Sequence, residues 1–339
     1  MTETITKVSR TGGLKDKQNS ESVGSPDLIL QQHDQPHTHG VVLVSGHHRS
    51  GSTWVGQILS AHEAIRSIDE PFNPLVTGRK QPFQGWYHYV VPEESARFES
   101  YMRKVMSKER LGREPGRRLL QTLISCTPFT SRDRRRVLLK DPIALFSAEW
   151  IARTFGAQVV LLIRHPAAFI GSLKRMKWTV NFANLLNQPA LLNDCLGDFR
   201  DELERRVRAP RDVIEDGILQ WRVFAHTIDR LRKAHPEWLV YRHEDASREP
   251  EACFNQILSS LGLQMTSEVE SAIHFYGGKE NPSEAERGKL HELRRNSAEN
   301  IHNWMKRLSP EEIRRIRTGT EDIAGSFYPA EDWSEGGRD

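Results

Sequence analysis

Cysteine is scarce in this chain. Its 339 residues include three, Cys126, Cys195 and Cys253, widely separated and without a Cys-x-x-Cys pair. That pattern speaks against a disulfide framework or a thiolate zinc site, and it fits a reducing, cytoplasmic compartment. Long apolar runs are missing too. None approaches the roughly 20 residues of a membrane helix, and the N-terminus lacks the apolar stretch of a secretory signal. Neither sign of charge dominates: Lys+Arg 48 against Asp+Glu 45 leaves a formal +3, so no nucleic acid or other global polyanion is indicated as a partner. The basic run Arg132, Arg134, Arg135 and Arg136 is short and lacks interleaved aromatics, and reads as a solvated turn. No internal repeat is visible.

What is there, 37% hydrophobic and 27% charged residues, suits one large α/β domain with insertions or two small ones. Residues 1–40 are polar and read as a disordered leader. They include His33, His37 and His39, with His47 and His48 nearby. No acid or thiol accompanies these histidines at a defined spacing, so solvated imidazoles are the reading and no metal site is assigned.

The chain is organised around Val41 to Leu59, VVLVSGHHRSGSTWVGQIL. A short apolar run, a turn bearing Gly46 and Gly51, and an amphipathic segment from Trp54 predict strand, loop and helix. Such a corner lets backbone N–H groups converge on phosphate or sulfate, assisted by the helix dipole. The spacing Gly46-x4-Gly51-Ser52-Thr53 nearly matches a nucleoside-triphosphate loop. Ser52 stands where that motif requires Lys, which argues against ATP or GTP hydrolysis. The cation is Arg49, inside the loop.

A second short strand, Ile65 to Ile68, runs into Asp69-Glu70-Pro71, a carboxylate pair where open α/β sheets place ligands. Thr77 to Tyr89 reads as a loop over the site, with Trp86, Tyr87 and Tyr89 available to stack on an acceptor or to pack the loop itself. Val137 to Leu139 predicts a third strand ending in Lys140-Asp141-Pro142, followed by a helix over Ala144 to Phe155 closed by Gly156. Gln158 to Ile163, QVVLLI, predicts a buried parallel strand. It ends in Arg164-His165-Pro166 and leads into a helix that carries Ser172 about two turns on.

Thr179 to Ala209 reads as irregular. Asp212 to Ala234 predicts a helix with one apolar stripe that includes Trp221, a core residue on this reading. Trp238 to Tyr241 predicts a strand, Pro250 to Leu261 a helix, and His274 to Arg287 a mobile loop. Ser309-Pro310-Glu311-Glu312 opens a helix running to about Ile323.

These motifs together resemble the sulfotransferases that use 3′-phosphoadenosine 5′-phosphosulfate, closest to the carbohydrate-type and bacterial members. Arg49-Ser50-Gly51-Ser52-Thr53-Trp54 resembles their 5′-phosphosulfate loop. Arg164, Pro166 and Ser172 resemble their 3′-phosphate motif, with His165 where the family usually has Asp or Asn. Glu70-Pro71 resembles their Glu-Pro pair, whose Glu is the general base. Arg242-His243-Glu244-Asp245 resembles a segment that marks the last strand and its helix, so it reads as structural. Leu293 to Ser297 resembles the stretch that closes over the nucleotide, which offers Arg294 or Arg295 to the 3′-phosphate without a choice between them.

The resemblance spans residues 41–328, leaving 329–339 as a tail. It implies a P-loop-like, three-layer α/β/α fold with a central parallel sheet. It also implies transfer of a sulfuryl group to a hydroxyl of a carbohydrate-like or other small-molecule acceptor, without a metal. Glu70 would be the base. Arg49, with Ser50, Gly51, Ser52 and Thr53, would hold the 5′ end and neutralise charge on the bridging oxygen, and Arg164 and Ser172 would grip the 3′-phosphate. A P-loop nucleotide kinase and a catalytically silent nucleotide-binding protein are the alternatives. The acceptor and the oligomeric state are not specified by the sequence.

Overall fold

The computed structural model describes residues 40–75, 82–83, 85–107, 135–284 and 293–333. The leader, its histidines and Arg132 and Arg134 of the basic run lie outside the described residues.

Five strands form one parallel sheet: β1 (Val41–Gly46), β2 (Ile65–Asp69), β3 (Arg136–Lys140), β4 (Gln158–Ile163) and β5 (Leu239–Arg242), in the spatial order β2-β3-β1-β4-β5. The chain steps outward to β2, returns through β3 beside β1, then crosses to β4 and β5 on the other side. The strand order therefore reverses at β1, and the crevice at the carboxyl ends of β1 and β4 is where such sheets take ligands.

β1 is buried along its whole length. Val41 and Leu43 belong to one core with Leu139 and Leu161, whereas Val42 and Val44 belong to a second with Leu138 and Leu162. Alternate side chains feed opposite faces, so a sheet covered on both sides reads as a continuous apolar run. Helices α1 (Ser52–Leu59), α8 (Pro250–Ser260) and α9 (Ser267–Gly277) supply residues to the second core. Helices α2 (Ser95–Ser107), α3 (Ala148–Phe155), α4 (Pro166–Met176), α5 (Arg200–Arg208), α6 (Val213–Ala234) and α10 (Pro310–Ala324) supply the first. Helix α7 (His243–Arg248) follows β5 directly and adds Ala246 to the second core. The architecture is the three-layer α/β/α that the motifs imply.

Two stretches differ from the sequence reading. Residues 179–209 are not irregular: they contain short helices at Ala183–Leu186 and Pro189–Asp194, and then α5. Contacts from outside hold this region, as where Gln188 Oε1 accepts from Tyr89 N–H at 2.8 Å and Arg206 pairs with Asp216 at 2.6 Å. The second stretch is His274 to Gly277, which forms the end of α9 rather than part of a loop, with Ile273 packed into the second core. Among the described residues, no helix is long and apolar enough to cross a membrane.

Candidate functional site

The loop after β1 is shaped by two glycines. Gly46 has φ 142°, and a Cβ there would sit 2.1 Å from the Leu162 carbonyl oxygen on β4. Gly51 has φ 99°, and a Cβ there would meet His243 Nδ1 at 2.5 Å. Both positions exclude a side chain for conformational and steric reasons together. Between them Arg49 is left-handed, φ 66°, an uncommon state for a non-glycine residue that clusters at functional turns. α1 then starts with no side-chain cap and no acid in its first turn. By contrast, α6 is capped by Asp212 and α10 by a Ser309–Glu312 capping box. The N-terminus of α1 thus keeps its N–H groups and dipole for an external anion.

The two anion motifs meet. Arg49 Nε donates to Ser172 Oγ at 3.0 Å, and Arg164 Nη1 donates to the Arg49 carbonyl at 3.1 Å. The backbone N–H of Arg164 donates to His47 Nε2 at 3.1 Å, and His47 Nδ1 lies 2.8 Å from the His48 carbonyl. An acceptor role at Nε2 makes Nδ1 the protonated nitrogen. Burial pushes the His47 pKa down to about 4, so this imidazole is a neutral tie between the motifs with both nitrogens engaged. Trp221 Nε1 donates to the Arg164 carbonyl at 2.8 Å from the middle of α6.

Around this junction lies a cleft of about 240 Å³, into which five arginines converge: Arg49, Arg164, Arg175, Arg295 and Arg307. Burial lowers the pKa of Arg49, and the neighbouring charges of Arg307, Arg175 and Arg295 lower it further. Burial likewise brings Arg164 down to about 10. Ser50 Oγ, Trp54 Nε1, Arg164 Nε and His243 Nε2 are buried without a hydrogen-bond partner. Mutually repelling cations beside unsatisfied polar atoms suit a small polyanion with further polar groups.

Gly51, Ser52, Thr53 and Ser172 line this cleft with Arg49 and Arg164. Ser50 is fully buried within the loop. Of the pair left open by the sequence, Arg295 lines the cleft; Arg294 donates to Asn281 Oδ1 at 3.2 Å and lies over the Phe275 ring at 4.7 Å.

Glu70 is not among the cleft-lining residues. It stands at the carboxyl edge of β2 with φ 46°. Its Oε1 is 2.9 Å from Lys140 Nζ, and its Oε2 accepts from Asn73 Nδ2 at 2.7 Å. Tyr87 links the two regions: its hydroxyl and His48 Nδ1 hydrogen-bond at 2.6 Å, and it feels the charge of Glu70. Tyr89 is occupied elsewhere, with its hydroxyl on Asp194 at 3.0 Å.

Arg307 was not singled out by the sequence. Glu284 holds it through Nε at 3.0 Å and Nη2 at 2.8 Å. Arg175, on α4, and His243, which read as part of a structural segment, also line the cleft. The signal for His243 was its place just after a strand, the edge that also carries the loop after β1 and Arg164. His165 faces away from the cleft, stacked on Trp304 at 5.2 Å and packed against Tyr328 and Trp333. Among the described residues, no group of three or more His, Cys, Asp or Glu side chains could hold a metal ion.

Residues 42–267 match the model of a family described as the sulfotransferase family. No curated protein matches the chain. Among solved structures, it is similar to the sulfotransferase domain of the curacin biosynthetic pathway, at 15% identity and TM-score 0.47, covering 85% of this chain and 96% of that one. A sulfotransferase from Mycobacterium avium is similar at 16% identity and TM-score 0.39, covering 86% and 77%. A mouse sulfotransferase complexed with PAP is similar at 12% identity and TM-score 0.39, covering 84% and 85%.

Proposed function

The chain belongs to the sulfotransferase family, and from that premise we propose that it transfers the sulfuryl group of 3′-phosphoadenosine 5′-phosphosulfate to a hydroxyl of a carbohydrate-like or other small-molecule acceptor in the cytoplasm. The observation that carries the reading is the direct contact between the two anion motifs. Arg49 reaches Ser172, and Arg164 reaches the Arg49 carbonyl, so one cleft presents both. A nucleotide with anionic groups at two ends suits such a double cradle. The unpartnered Trp54 Nε1, His243 Nε2 and Arg164 Nε fit it as well, because they ask for hydrogen-bonding atoms beyond the phosphates.

The donor supplies an activated sulfuryl group whose transfer is an in-line displacement, with demands like those of phosphoryl transfer. The chain supplies position and charge. The α1 N-terminus, Ser52, Thr53 and Arg49 hold the 5′ end, and Arg49 neutralises charge developing on the bridging oxygen. Arg164, Ser172 and Arg295 hold the 3′-phosphate. Glu70 takes the acceptor proton at Oε1 or Oε2. The five arginines supply the countercharge for which a P-loop kinase uses Lys and a metal.

Thermal-shift titration with 3′-phosphoadenosine 5′-phosphate, ATP, ADP and AMP tests the donor assignment. Selective stabilisation by the first is the expected result. An equal shift by AMP would remove the 3′-phosphate from the recognition scheme.

A further inference from the structure

Lys140 carries one of the most buried amino groups beside this site. Its side chain is 5% exposed, at the carboxyl end of β3. A lysine is seldom buried so far unless its charge is paired. Its Nζ is 2.9 Å from Glu70 Oε1 and 3.9 Å from Asp69 Oδ1. Its own carbonyl accepts the Glu70 N–H at 2.8 Å. One residue therefore grips Glu70 by backbone and side chain together, at a position where Glu70 holds a left-handed φ of 46°.

The path of the lysine stem depends on a glycine. A Cβ on Gly56 in α1 would lie 2.8 Å from Lys140 Cγ and 3.2 Å from its Cβ. Gly56 is helical with an ordinary φ, so conformational freedom does not explain it; clearance for Lys140 does. α1 is the helix that begins at the anion loop, which ties the placement of Lys140 to the element that faces the donor.

We propose that Lys140 is the positioning residue for Glu70, holding the carboxyl group in place and in its ionised form, and that Gly56 is the clearance that lets it do so. This rests on Glu70 being the base. Among the described residues, the groups near Glu70 include Lys140 on β3, Asp69 on β2, Asp141 after β3, Asn73, and Tyr87 from the loop before α2; Tyr101 of α2 bonds the adjacent Pro71 carbonyl at 3.0 Å. What burial does to a carboxyl beside this turn is visible next door: it pushes Asp141 up to about 7, with the charge of Glu70 adding to it while two backbone N–H groups and the more distant charge of Lys140 oppose it. A proton acceptor must be unprotonated at the start of the reaction, and Lys140 supplies that condition.

The test reads ionisation directly and needs no acceptor. Protein labelled with carbon-13 at the glutamate δ-carboxyl is titrated by NMR with 3′-phosphoadenosine 5′-phosphate present, and the Glu70 signal is assigned by its loss in Glu70→Gln. Lys140→Met is expected to move the Glu70 titration to higher pH by about one to three units, the scale of losing a close opposite charge. Gly56→Ala, which alters no charge, is expected to move it the same way, and it serves alone if Lys140→Met does not fold. An unmoved Glu70 titration in either folded variant overturns the proposal. Full turnover in Glu70→Gln would instead overturn the base assignment, and the NMR titration would still report whether Lys140 sets the ionisation of Glu70.

Discussion

Replacing Glu70 with Gln keeps the size of the side chain and removes its ability to accept a proton. General bases contribute about a hundredfold to ten-thousandfold. Glu70→Gln is therefore expected to lower kcat by at least about a hundredfold while calorimetry finds the affinity for 3′-phosphoadenosine 5′-phosphate unchanged, because Glu70 lies outside the cleft lining. Wild-type turnover would move the base to His48, since His47 has both ring nitrogens engaged and His165 is packed away from the cleft. Asp141 makes a different prediction. Its Oδ2 accepts from Phe72 N–H at 2.6 Å and its Oδ1 from Ile143 N–H at 2.9 Å, which clamps the turn that carries Glu70. Burial raises its pKa from 3.8 to about 7. The folded state then holds a proton that the unfolded chain releases, so this group's contribution to stability falls as pH rises from about 4 to about 7 and is level above that. Asp141→Asn should abolish that part of the slope and lower stability overall, because its amide turns a donor toward one of the two N–H groups. Urea unfolding of both proteins at several pH values from 4 to 8 measures it; parallel curves would show that Asp141 does not carry the slope.

α6 connects packing to the site. Trp221 is fully buried in its middle and donates to the Arg164 carbonyl. Trp221→Phe keeps an aromatic in the core and deletes that donor. Losing a buried hydrogen bond costs about 1–3 kcal/mol, and the loss should be felt at Arg164, so weaker binding of 3′-phosphoadenosine 5′-phosphate is expected together with a lower Tm. A lower Tm with unchanged affinity would confine Trp221 to packing. The stripe that places this helix was legible in the sequence, and Asp212 marked its start, because a long amphipathic helix writes a 3.6-residue period into its residues. β1 and β4 were legible as apolar runs because both of their faces are covered. The short helices at 183–194 left no such period; contacts from Tyr89 to Gln188 hold them. Arg294 and Arg295 could not be separated either, since neighbours in an extended stretch point to opposite sides and only the packing of Phe275 decides which faces in. Arg307 reaches the cleft through long-range folding alone, more than a hundred residues after the anion motifs.

At the scale of the whole molecule, the carboxyl edge of every strand delivers something to one side: the anion loop from β1, Glu70 from β2, Lys140 from β3, Arg164 from β4 and His243 after β5. The fold as a whole gathers five guanidinium groups around about 240 Å³, where they repel one another. Nucleotide binding should therefore relieve repulsion as well as add contacts, which couples global stability to the ligand. At a hundred times its Kd, a ligand that binds the folded state alone adds about 2.7 kcal/mol, enough to raise the Tm of a chain this long by several degrees. The electrostatic share of that gain is screened by salt, over a distance of about 10 Å at 0.1 M and about 3 Å at 1 M. At a fixed nucleotide concentration, the Tm increment from 3′-phosphoadenosine 5′-phosphate should shrink between those two salt concentrations, and shrink more than that from AMP, which carries one phosphate fewer. Differential scanning calorimetry across the series measures both slopes. Equal slopes would mean that the arginine cluster does not engage the second phosphate, and the shared-cleft reading of the two motifs would fall with it.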